Sequence, residues 1–117
     1  MLQRFNVGLR MSEMAVYNGV AYLAGQVASN MSLDVAGQTL QVLAEVDALL
    51  ARAGTDKTKI LRAQIFLADI NDFADMNAVW DAWVPLGHTP PRATVEGKLA
   101  NPGYRVEIVV TAAVAAT

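Results

Sequence analysis

Two charges in this chain stand among neighbours that are rigid or apolar. Arg92 opens an extended segment directly after Pro90-Pro91, and Glu107 is the only acid in the run Val106-Glu107-Ile108-Val109-Val110-Thr111. An arginine behind a rigid proline turn presents a planar fork of donors suited to bidentate recognition of a carboxylate. A surface arginine at a strand end looks the same in sequence. A glutamate in an apolar strand lies on a wet face, in a structural ion pair, or in a cleft where it can move protons at a substrate. Structural ion pairs put charges in such places as readily as catalysis does, so spacing alone leaves both readings open for each residue.

Three further residues can join them. Thr94 lies two positions beyond Arg92, so on a strand the two share a face, and its hydroxyl can orient a ligand or a water. Threonine is also simply a good strand former. Gly25, after Tyr22-Leu23-Ala24, can bring backbone groups close to a ligand or merely turn the chain. Asn77 stands beside an apolar stripe and its amide can brace a neighbouring loop. Trp80 and Trp83 are expected in the core or a subunit contact, because helical spacing already accounts for them.

Other chemistries lack their residues. His88 is the single histidine and there is no cysteine, so neither a two-histidine motif nor a thiolate zinc site can be assembled, and no metal is expected. No serine sits on an elbow motif for His88 to activate, which leaves it as an exposed loop residue. Gly19, Gly25 and Gly37 are scattered and form no phosphate loop after a strand, so no nucleotide cofactor is expected.

The elements that must position these groups can be read from pattern. Ala15-Val16-Tyr17 and Val20-Ala21-Tyr22-Leu23 flank Asn18-Gly19, a strong hairpin signal, whereas Leu2 to Val7 shows only a weak pattern. Asp34 can cap a helix carrying Val42, Leu43, Val46, Leu49 and Leu50 at helical spacing, with Arg52 in its last turn and Gly54 marking the stop. Ile60 to Leu67 reads as a strand whose core face is Leu61, Ala63, Ile65 and Leu67. Asp69 to Asp72 supplies a helix start, and Phe73, Met76, Trp80 and Trp83 form an apolar stripe that ends at Val84-Pro85. Two β-branched segments, Arg92 to Leu99 and Arg105 to Ala115, read as strands.

The order is two or three strands, a helix, a strand, a helix and two strands: an α+β fold with two helices covering one face of a mixed β-sheet. The other face needs cover of its own, which predicts burial by oligomerisation. At 117 residues, one domain over 1–117 is expected. Hydrophobic residues make up 54% and charged residues 17%, a low charge fraction that also suits a subunit interface. The net charge of −2, without a run of either sign, argues against nucleic acid or an anionic membrane as partner. The apolar run from Val106 to Thr117 is interrupted by Glu107 and too short to span a bilayer. The N-terminus lacks the apolar stretch of a secretory signal, so the cytoplasm is the expected location.

An ordered series of short segments, spread from Ser12 to Ala113, carries a resemblance. It comprises Ala15-Val16, Tyr22-Leu23-Ala24-Gly25-Gln26-Val27, Gln38-Thr39 with Val42-Leu43, Ala53-Gly54, Phe66-Leu67-Ala68-Asp69-Ile70-Asn71-Asp72-Phe73, Met76-Asn77, Pro91-Arg92-Ala93-Thr94-Val95 and Val106-Glu107-Ile108. In this the chain resembles the Rid family, the RidA-like reactive intermediate deaminases. The resemblance implies a chorismate-mutase-like fold assembled as a homotrimer, with a central barrel and clefts between subunits. It implies cofactor-independent hydrolysis of imino and enamine acids, such as 2-aminoacrylate through 2-iminopropionate, to the 2-keto acid and ammonia. Arg92 would bind the substrate carboxylate and Glu107 would handle water and protons, with Thr94 and the backbone around Gly25 in the same cleft.

The chain also departs from that family's best-studied members. Leu9-Arg10-Met11-Ser12 stands in place of Gly-Pro-Tyr-Ser, Thr94 in place of a frequent cysteine, and Ala24 in place of a frequent serine. These departures imply a subgroup with a differently shaped pocket, and leave 2-aminoacrylate as one candidate substrate among carboxylated imines. A trimer that binds or senses small carboxylates without turnover is the alternative, and Arg92 would serve it equally well. A chaperone-like interaction protein, in which neither charge matters, is a further one. Ribonuclease activity, also attached to the family, finds little support in a net-acidic chain without a basic stripe.

Overall fold

The structure is a computed structural model that describes residues 1–115. The last two residues of the apolar run ending at Thr117 lie outside them. Six strands form one mixed sheet: β1 (Gln3–Phe5), β2 (Met14–Tyr17), β3 (Val20–Leu23), β4 (Ile60–Leu67), β5 (Arg92–Glu96) and β6 (Val106–Ala113). Their spatial order is β1-β2-β3-β6-β4-β5, antiparallel throughout except for the parallel pair β4/β5 at one edge. Helices α1 (Val35–Arg52) and α2 (Phe73–Trp83) pack on one face, giving a slab 42 × 38 × 19 Å. No helix among the described residues is long and apolar enough to cross a membrane.

Local chemistry sets most of these boundaries. Asn18 and Gly19 take φ of 52° and 76°, the pair of positive angles that a two-residue turn needs to match strand twist. The Asp34 carboxylate accepts from the Gly37 amide at 2.8 Å and starts α1. At its end Gly54, with φ 79°, lets the amides of Gly54 and Thr55 turn back onto the carbonyls of Ala51 and Leu50. Short 3-10 turns precede β4 (Lys57–Lys59) and α2 (Ile70–Asp72). The ammonium of Lys57 donates to the Trp83 carbonyl at 2.6 Å, placing a cation at the C-terminus of α2 where the backbone dipole favours it.

Three expectations need correction. The weak segment Leu2 to Val7 contains strand β1, an edge strand held by pairing with β2. Leu61 is not a core residue: the β4/β6 register shifts between Ile60 and Arg62, and the bulged Leu61 turns outward and is 49% exposed while Ala63, Ile65 and Leu67 are buried. The last two strands are shorter than expected. Strand β5 ends at Glu96, since its partner β4 ends at Leu67 and the Gly97 amide makes the last ladder bond to the Leu67 carbonyl. Strand β6 begins at Val106 because the Arg105 amide is taken by the Gln38 side chain at 2.8 Å.

The core lies between the sheet and α1, where Val42, Leu43, Val46 and Leu50 meet Ile65, Leu67, Ile108 and Val110. From α2 only Met76 and Trp80 are fully buried, whereas Phe73 is 41% exposed and Trp83 is half-buried. On the opposite face Val20, Tyr22, Phe66, Val109 and Thr111 are half-buried or exposed, and no element among the described residues covers them.

Candidate active site

Register decides which way each candidate residue points. Strand β5 pairs Arg92 with Ala63 and Thr94 with Ile65, so both side chains share the helix-covered face of the sheet with those core residues. Strand β6 pairs Glu107 with Phe66 on the uncovered face. The five candidate residues therefore form two groups on opposite faces of one sheet.

Arg92, Asn77 and Thr94 make the first group. The Arg92 guanidinium is half-buried, with its carbon 5.2 Å from the Trp80 ring centre and 5.8 Å from that of Phe73. Aromatic faces attract a cation without neutralising it. Its Nη1 donates to Asn77 Oδ1 at 2.8 Å, and this is the side chain's one hydrogen bond among the described residues. Among the described residues the one ion pair joins Arg105 to Asp72 at 2.8 Å. Arg92 thus keeps an uncompensated charge and most of its five N–H donors for something outside the protomer. A small cavity of about 110 Å³, bounded by Arg62, Pro91, Arg92 and Ala93, lies at this end of the strand. Thr94 Oγ1 is buried and has no hydrogen-bond partner among the described residues, a state unusual for a native hydroxyl.

Glu107 and Gly25 make the second group. Gly25 is not among the glycines with positive φ, and what it supplies is space. A Cβ at that position would stand 2.8 Å from Glu107 Cδ and closer still to Glu107 Oε2. Absence of a side chain lets the carboxylate lie flat on the backbone. Gln26 and Ile108 hold that approach through paired amide bonds of 2.8 and 3.1 Å. The Gln26 amide in turn donates to Glu13 Oε1 at 3.2 Å and to the Ala24 carbonyl at 3.0 Å. Glu107 itself is half-buried and has no cationic partner among the described residues.

Sequence reading names the polar members of both groups and misses the aromatic cradle. Trp80 is buried as expected, but it also forms one wall of the Arg92 site together with Phe73. The available signal was Phe73, Asn77 and Trp80 at spacings of four and three, which puts all three on one side of α2. His88 is exposed in its loop.

Known proteins similar to this chain in sequence and in shape agree with each other. The family described as Endoribonuclease L-PSP (Ribonuc_L-PSP) matches residues 1–114. A RutC family protein of Haemophilus ducreyi is 51% identical over 114 residues, covering 97% of both chains. A crystal structure of a YjgF family member from Neisseria meningitidis superimposes with a TM-score of 0.96 at 45% identity, over 100% of this chain and 98% of the other. A Rid family structure from Yersinia pestis gives 0.85 at 34% identity, over 92% and 90% of the two chains. At 29% identity over 103 residues, 83% of this chain and 74% of the relative, the rat protein named 2-iminobutanoate/2-iminopropanoate deaminase is similar as well. The fold, the two residue groups and these likenesses converge, and the chain belongs to the Ribonuc_L-PSP family, the YjgF/RutC/Rid proteins.

Proposed function

We propose that the protein hydrolyses 2-imino and enamine acids to 2-keto acids and ammonia, at sites completed between protomers of a homotrimer. The observation that carries this reading is the Arg92 guanidinium, held by Asn77 and two aromatic rings yet without a carboxylate partner among the described residues. A planar cation of that kind matches the carboxylate of an imino acid through two parallel hydrogen bonds. The rat relative named as an imino acid deaminase supports the same substrate class.

The chemistry asks little of the protein beyond placement. An iminium carbon beside a carboxylate is already electrophilic, and holding it against a water supplies much of the acceleration. Glu107 takes a proton as the water oxygen bonds to C2 and the C=N pair moves to nitrogen. The same carboxylate returns the proton to that nitrogen. The C–N bond then breaks as Glu107 takes the remaining hydroxyl proton and the oxygen pair closes the C=O bond. That proton passes to the departing ammonia, so that the 2-keto acid and ammonium leave. No electron is gained or lost overall, and one water is consumed. Thr94 Oγ1, buried and unpartnered, orients the substrate from the Arg92 side.

The two groups face opposite ways in one protomer, so a working site takes Arg92 and Thr94 from one chain and Glu107 and Gly25 from its neighbour. The uncovered sheet face is the surface such an assembly would bury. The test generates imines from several amino acids with an amino-acid oxidase and follows their loss with a trapping amine. Wild type accelerates loss, Arg92→Ala mainly raises KM, and Glu107→Gln lowers kcat by about 100-fold or more. If wild type binds keto acids but hydrolyses none of the imines, the non-catalytic carboxylate binder is the correct reading.

A further inference from the structure

A cavity of about 510 Å³ opens beside Ala24, the residue that precedes Gly25, and Arg4, Arg10, Met11 and Tyr22 are among its walls. Two arginines line it, and none of its lining residues is acidic. Neither Arg4 nor Arg10 has an ion-pair or side-chain hydrogen-bond partner among the described residues. The nearby Glu13 is engaged elsewhere, accepting from Gln26 at 3.2 Å. The loop bearing Arg10 is closed by the Gly8 amide donating to the Met11 carbonyl at 2.8 Å.

Part of the cavity wall lies on the sheet face that carries Glu107. Cross-strand pairing sets Arg4 opposite Ala15, Ala15 opposite Tyr22 and Tyr22 opposite Thr111, a single row on the uncovered face. Glu107 lies on the same face of β6, and its carboxylate rests on Gly25. An imino acid whose C2 sits at Glu107 and whose carboxylate is held by Arg92 of a neighbouring protomer would send its side chain past Ala24 towards Arg4 and Arg10.

We infer that the preferred substrates are imines of dicarboxylic amino acids, with Arg4 and Arg10 as the residues that bind the distal carboxylate. The inference rests on the imine hydrolysis proposed above and adds the identity of the side chain. Two arginines without a carboxylate partner among the described residues, lining a cavity without acids, favour an anion. They are specificity residues and take no part in bond making.

The experiment compares imines made from aspartate, asparagine and alanine, each by an oxidase suited to it. Aspartate and asparagine differ in charge at nearly constant shape. Wild type should favour the aspartate-derived imine over the asparagine-derived one in kcat/KM by about tenfold or more, the discrimination of one charge-assisted hydrogen bond. Arg10→Gln and Arg4→Gln should each lower that ratio by about tenfold, a quantity that a general loss of activity does not move. Turnover of the alanine-derived imine with a ratio near one, or with a ratio unchanged in both variants, overturns the inference and leaves imine hydrolysis standing. That is also the outcome if the two arginines pair with carboxylates of a neighbouring chain. Failure of all three imines to react overturns both.

Discussion

The Thr94 hydroxyl is buried in the protomer and unsatisfied, a condition that costs about 1–3 kcal/mol. Replacing it with the isosteric valine removes that cost. Thr94→Val should therefore leave the urea unfolding midpoint unchanged or raise it, while kcat/KM for imine hydrolysis falls. Full activity in this variant would show that the hydroxyl has no part in the site. Gly25 tests the opposite half. In Gly25→Ala the new methyl meets Glu107 Cδ at 2.8 Å, so the carboxylate must leave its seat, and we expect kcat to drop by about tenfold or more with an unchanged circular dichroism spectrum. At this scale sequence reading found the charges, because a lone acid among β-branched residues is conspicuous. It could not find the seat of Glu107 on Gly25, which depends on a bridge between Gln26 and Ile108, residues far apart in the chain.

Elements whose boundaries rest on local chemistry were legible, and those that rest on pairing were not. Asn18-Gly19, Asp34 and Gly54 each mark a boundary through their own backbone angles or caps. Strand β1 has only three residues, two of them polar, and exists through β2. The bulge at Leu61 is likewise a property of the β4/β6 ladder. Gln38 joins such distant pieces. Fully buried on α1, it donates from Nε2 to the carbonyls of Leu33 and Gly103 at 3.1 and 3.0 Å and accepts from the Arg105 amide at 2.8 Å. It thereby ties the entry of α1 to the loop that delivers Val106 and Glu107. Gln38→Leu keeps the volume and strands these backbone groups in the interior, so unfolding free energy from urea titration should fall by about 3 kcal/mol. A loss below about 0.5 kcal/mol would mean that the loops are held by other contacts.

At the scale of the whole molecule, the opposed faces of one sheet turn the proposed function into a question of assembly. Arg92 follows the register of Ala63 and Glu107 that of Phe66, and no rotamer carries either side chain through the sheet. Apolar composition and an uncovered face suggested from sequence that copies would associate. The resemblance already implied clefts between subunits; strand register adds that Arg92 and Glu107 stand on opposite faces of one protomer, since a shift of one residue exchanges the faces. Mixing subunits tests this directly. At substrate well below the raised KM of Arg92→Ala, that variant and Glu107→Gln should each turn over little on their own. After dissociation and reassembly at equal ratio, a site takes its arginine from one chain and its glutamate from the next. Each is intact with a chance of one half, so about one quarter of wild-type activity should return. If both groups instead came from the same chain, every site would carry one defect or the other, and mixing would restore nothing.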